Sequence, residues 1–117
     1  MATKDFKTLT KVKDMMLYAY PVLAQFPKAE KFSLAQDIRR TMDELLELTI
    51  TEDKKYTKKT TLETMDITNE KLKHYVQIAK DLGFISFHKY EVWEKHLVEI
   101  GKMIGGLLKS VSGGPKT

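Results

Sequence analysis

Apolar residues return along this chain in an alternating three-four step. Leu9, Val12, Met16, Ala19, Leu23 and Phe26 trace one seam, and Leu62, Met65, Asn69, Leu72, Val76 and Ala79 trace another. Tyr90, Trp93, Leu97, Ile100, Ile104 and Leu107 repeat the step near the C-terminus. That spacing keeps one stripe of a helix turned inward, whereas a half-buried strand would alternate by two. Between the first two seams, Leu34, Ile38, Met42, Leu45 and Thr49 form a looser stripe that Leu46 and Leu48 widen. The pattern predicts four helices.

Local chemistry predicts where they end. Pro27 closes the first helix, and Ser33 is a candidate N-cap for the second, with an earlier start at Ala29 as the alternative. Thr60 with Glu63 reads as a capping box, Gly83 offers a left-handed stop after Leu82, and Ser86 can cap the fourth helix. Short links make successive helices antiparallel neighbours, so the expected fold is all-α, an up-down-up-down four-helix bundle over residues 1–110. Residues 111–117, rich in glycine with a proline, are expected to be a flexible tail.

One segment carries more apolar surface than a bundle needs. Met15 to Ala24 is apolar around nearly the whole helix, which predicts a self-association surface built from Met15, Tyr18, Tyr20 and Val22. Gly101 and Gly105 stand four apart in the fourth helix, and each costs about 1 kcal/mol relative to alanine there. They call for a close contact, either inside the chain or at a subunit interface.

At 117 residues the chain fits one domain, and it has no cysteine, which excludes disulfides, thiol catalysis and thiolate metal sites. No apolar run reaches the roughly 18 residues a membrane span needs, and the N-terminal segment alternates charges and threonines where a signal peptide would be apolar. A soluble, cytoplasmic protein is expected, with no membrane partner. The histidines occur without the Glu-x-x-His pattern of di-metal bundles, and no phosphate loop or prepared nucleophile is present, so no enzyme, metal or cofactor is expected.

The net charge of +4 permits a nucleic-acid partner without demanding one. Lysines crowd the N-terminal arm (Lys4, Lys7, Lys11, Lys13) and the segment from Lys54 to Lys59, where Lys54, Lys55, Lys58 and Lys59 surround Tyr56 in a combination of charge and stacking that can hold single-stranded nucleic acid. Lys73, Gln77 and Lys80 share one edge of the third helix and can track phosphates or meet an acidic partner. On the second helix Arg39 can pair with Asp43 and Arg40 with Glu44, with Arg40 pointing outward.

Several of these motifs belong together. The junction Phe26-Pro27-x-x-Glu30-x-Phe32-x-Leu34-x-x-x-Ile38-Arg39-Arg40 resembles that of four-helix bundle proteins encoded in large-subunit ribosomal RNA intervening sequences. Asn69-Glu70-Lys71-Leu72, the run from Ala79 to Ser86 and the run from Glu99 to Gly106 resemble the accessory variability determinant of diversity-generating retroelements. The likeness covers about residues 9 to 110, with Leu107 standing where a tryptophan is expected. It implies a non-catalytic homopentamer that binds a reverse transcriptase and its template RNA and supports mutagenic complementary-DNA synthesis and retrohoming. It also implies that Arg39, Arg40, Lys73 and Lys80 face those partners. The alternative is an intervening-sequence-type bundle with a structural or interaction role.

Overall fold

The computed structural model of the chain describes residues 4–54 and 59–112. It consists of α1 (Lys4–Leu23), a 3-10 turn (Lys28–Glu30), α2 (Leu34–Lys54), α3 (Lys59–Asp81) and α4 (Phe87–Ser112), with no strand among the described residues. α1 packs against α2 and α4, and α3 packs against the same two, so the four helices close a square around one core. The body measures 52 × 23 × 20 Å.

The core is built from the predicted stripes of α3 and α4. Leu62, Met65, Leu72, Val76 and Ala79 meet Trp93, Leu97, Ile100 and Ile104 out of contact with solvent, and Leu107 joins them. α2 contributes Ile38, Met42 and Leu45, with Leu46 and Leu48 at the edge. In α1 the stripe is shifted and wider than its spacing suggested. Met15 and Val22 are buried, while Met16 is only half-buried. Val12, Met15, Ala19, Val22, Leu23 and Phe26 form the stripe that turns inward toward α2 and α4. Met15 and Val22 therefore belong to the chain's own core, not to an outer self-association surface.

The helix ends obey local chemistry unevenly. Residues of the lysine arm lie within α1, which begins at Lys4, and Lys11 Nζ sits 3.1 Å from Glu99 on α4. Pro21 is exposed in the last turn of α1, where only two helical residues follow it. Beyond Leu23 the turn tightens, with the amides of Gln25 and Phe26 bonding the carbonyls of Val22 and Leu23, and Pro27 leads into the 3-10 turn. α2 starts at Leu34, not Ala29. The Ser33 carbonyl accepts the Asp37 amide at 2.9 Å, as an N-cap residue's does, but its hydroxyl donates to Glu30 Oε1 at 2.7 Å. Thr60 already lies inside α3, so it does not serve as the expected cap.

The stop at the end of α3 follows the sequence closely. Gly83 takes φ +81°, the Phe84 amide reaches back to the Ala79 carbonyl and the Gly83 amide to Lys80, closing a Schellman motif. Ser86 then caps α4 through a 3.2 Å bond from the Lys89 amide to its hydroxyl. α4 continues through Val111 and Ser112, and residues 113–117 lie outside the described part.

Asn69, the one polar member of the α3 stripe, is buried and donates from Nδ2 to the Leu97 carbonyl at 2.9 Å. Gly101 makes room for this bond. A Cβ at 101 would lie 3.3 Å from Asn69 Nδ2, so glycine leaves space for the amide beside the α4 backbone. The packing inside the chain accounts for Gly101, the intramolecular alternative of the two contacts its spacing called for.

Candidate partner-binding surface

The basic residues singled out by sequence sit on different faces and in different states. Arg40 projects from α2 with its side chain 70% exposed and lies 3.9 Å from Asp37, not beside Glu44. Side chains on a helix lean toward its N-terminus, which favours a partner one turn earlier. Arg39 is half-buried at the core edge. On α3, Lys73 and Lys80 flank the core with Gln77 exposed between them, but both lysines are held down. Lys73 pairs with Glu70 at 3.7 Å, while Lys80 lies 4.6 Å above the Tyr90 ring and 3.4 Å from Asp81. Lys59 is exposed at the first turn of α3, and Lys58 lies outside the described residues. The structure thus brings Lys73, Gln77 and Lys80 onto one edge, leaves Arg40 and Lys59 the more accessible cations, and joins α2 and α3 basics through no ion pair among the described residues.

The apolar outer faces are clearer. Leu17 is 74% exposed on the outermost line of α1, with Tyr20, Pro21 and Ala24 exposed around it. Tyr18 is turned sideways. Its ring stacks on His96 at 5.6 Å, its hydroxyl donates weakly to the Lys89 carbonyl at 3.5 Å, and burial pushes its pKa up. Leu17 was missed by sequence because it lay among residues judged by local apolar density, although its offset from the Val12 and Ala19 positions marks it as outward. A second outer line on α3 carries Ile67 and Ile78, with Lys71 and His74 between them, and exposed Leu82 follows just past the helix end. Both isoleucines fall outside the three-four seam, which is the signal that could have found them.

Gly105 and Gly106 have nothing within 4 Å of where a Cβ would be, so these two open a smooth strip of α4 backbone to solvent. A neighbour able to use that strip must come from another molecule. Among the described residues no group of three histidine or acidic side chains gathers to hold a metal ion, and no helix is long and apolar enough to cross a membrane.

A family model described as bAvd-like matches residues 7–111. The chain belongs to the bAvd-like family. The match begins at Lys7 within α1 and ends at Val111 near the end of α4, so all four helices of this bAvd-like chain carry the family pattern. Leu107, in place of the expected tryptophan, is buried against the core, and the departure leaves the packing of α4 intact. No curated protein matches the sequence.

Proposed function

We propose that this bAvd-like protein is a non-catalytic accessory subunit of a diversity-generating retroelement. In this reading the helices run up-down-up-down, and copies assemble into a symmetric homopentamer through the Leu17 and Tyr20 face of α1 and the open Gly105 strip of α4. The assembly binds the reverse transcriptase and its template RNA and supports mutagenic complementary-DNA synthesis and retrohoming. The observation that carries the proposal is the family match across residues 7–111. Short turns between the helices and the exposed apolar line of α1 are consistent with it.

Repetition strengthens weak charge. A net charge of +4 per chain, multiplied in a symmetric ring, becomes a cationic body that gathers polyanions with strong salt dependence. Arg40 and Lys59 are the better candidates to act, because both are exposed, Arg40 at 70% despite Asp37 at 3.9 Å, whereas Lys73 and Lys80 are at 29% and 26% and lie against Glu70 and the Tyr90 ring. The test is affinity capture of a co-expressed cognate reverse transcriptase with its RNA. Wild-type protein should retain both at low salt, and Arg40→Glu with Lys59→Glu should lose most of the RNA. Failure of the wild-type chain to retain either would overturn the proposal and favour the intervening-sequence-type alternative.

A further inference from the structure

Past its first turn α3 carries three lysines, and each is met by a side chain of the same molecule. Lys71 Nζ lies 5.7 Å from the centre of the Tyr75 ring, and Lys73 lies 3.7 Å from Glu70. Both contacts stay within α3, where neighbours three or four residues apart meet in any helix. Lys80 is different. Its ammonium lies 4.6 Å above the Tyr90 ring as well as 3.4 Å from Asp81, and Tyr90 belongs to α4, so the ring contact exists only once the turn between the helices has formed.

That turn fixes both ends of the contact. The Lys80 carbonyl accepts the Gly83 amide at 2.9 Å, and the Tyr90 amide donates to the Ser86 carbonyl at 3.0 Å. Phe87, three residues before Tyr90, lies against its ring with centroids 6.0 Å apart. Backbone bonds therefore set the lysine stem and the ring at the two ends of a short connection, and the ammonium rests between a π face and a carboxylate. A cation on a ring face is retained about two- to fivefold over the released state, before the carboxylate is counted. Held in this way, Lys80 spends its charge on groups of its own chain.

We infer that the Tyr90 ring and Asp81 form an autoinhibitory latch on Lys80, which lowers the affinity of α3 for an RNA backbone and gives way when RNA binds. The inference rests on the reading of this chain as an RNA-binding subunit and concerns how one of its cations is released. The carboxylate beside Lys80 belongs to the device, since it is the competitor that a phosphate replaces. Nothing in an RNA backbone replaces the ring, so Tyr90 sets how hard the release is.

The test is fluorescence anisotropy of a labelled oligouridylate with the full chain at low salt, comparing wild type, Tyr90→Leu, Tyr90→Phe, Lys80→Gln and Tyr90→Leu combined with Lys80→Gln. Tyr90→Leu removes the ring without changing net charge, and it should bind the RNA about two- to fivefold tighter. Tyr90→Phe keeps the ring and should bind as wild type does. Lys80→Gln should change wild-type binding little and should abolish the gain of Tyr90→Leu. Tyr90 is half-buried, so thermal melting checks the fold; if Tyr90→Leu melts early, Asp81→Asn, at an exposed carboxylate, takes its place in the same cycle against Lys80→Gln. Binding by the released variant that equals or falls below that of wild type overturns the inference. So does a gain that persists with Lys80→Gln. The two readings fail separately. If wild type retains the reverse transcriptase and RNA while these variants show no gain, the latch falls alone; if RNA binds neither wild type nor the released variant, the RNA-binding reading falls with it.

Discussion

Tyr18 stands between α1 and α4 with its ring on His96 and its hydroxyl toward the Lys89 carbonyl. Burial raises its pKa above the ordinary value of 10.0, because the phenolate would lose more hydration than the phenol. The folded chain therefore holds this proton more tightly than the unfolded chain. The stability this gives is complete below the unfolded pKa and is lost as pH rises through the folded one. Urea midpoints should hold level below the ordinary value of 10.0 and fall as pH rises past it, and Tyr18→Phe should shrink that fall. An equal fall in both proteins would assign the titration elsewhere. Composition marked Tyr18 as an outer residue, since its helix looked apolar all round. Its sideways position depends on α4 packing beside α1, a long-range fact that no local window of α1 contains.

At the scale of elements, α3 and α4 are held in register by one amide. Asn69 bonds the Leu97 carbonyl, and Gly101 keeps the space that the amide occupies. A methyl group at 101 would lie 3.3 Å from Nδ2, and the amide cannot retreat without lengthening its 2.9 Å bond. Displacing the amide would leave a buried donor unpaired at a cost of about 1–3 kcal/mol, while alanine in place of a helical glycine gains about 1 kcal/mol. These magnitudes predict a change of sign. Gly101→Ala should destabilise the wild-type chain, yet stabilise one that already carries Asn69→Ala, when both are compared by urea unfolding. Additive effects would remove the proposed coupling. The same scale explains which helix ends could be read. Gly83 and Ser86 act on amides within a few residues and meet no rival, so their sequence roles are the structural ones. The Ser33 hydroxyl had a competing acceptor in Glu30, and Thr60 was overtaken by a helix that includes Lys59. The α1 stripe was read one residue off at Met16, since Met15 takes the inward place and Val22 joins Leu23 in the core.

For the whole molecule, the question is what covers α1. Met15 and Val22 lie in the core and Leu17 faces out, so substitutions at the two sets test folding and the proposed assembly separately. Met15→Ala should cost about 2–5 kcal/mol of stability as a core truncation, and any loss of assembly should follow unfolding. Leu17→Glu should leave the isolated subunit as stable as before, because a side chain with 74% exposure supports little of its own core. In a closed ring each subunit presents the same face once, so a single substitution acts at every junction and places an unpaired charge in each. Sedimentation velocity should then show wild type as a closed oligomer and Leu17→Glu as the 13.5 kDa chain, with matching thermal melts for the subunit fold. The expected partners rest on the family motifs alone, since a net charge of +4 over the chain singles out no ligand. The apolar line carries physical information that charge does not: a wild-type protein that sediments as a single chain at micromolar concentration would leave Leu17 exposed without an assembly to cover it. The multiplied cationic surface would then be lost as well, because each weak excess of lysine and arginine would act alone.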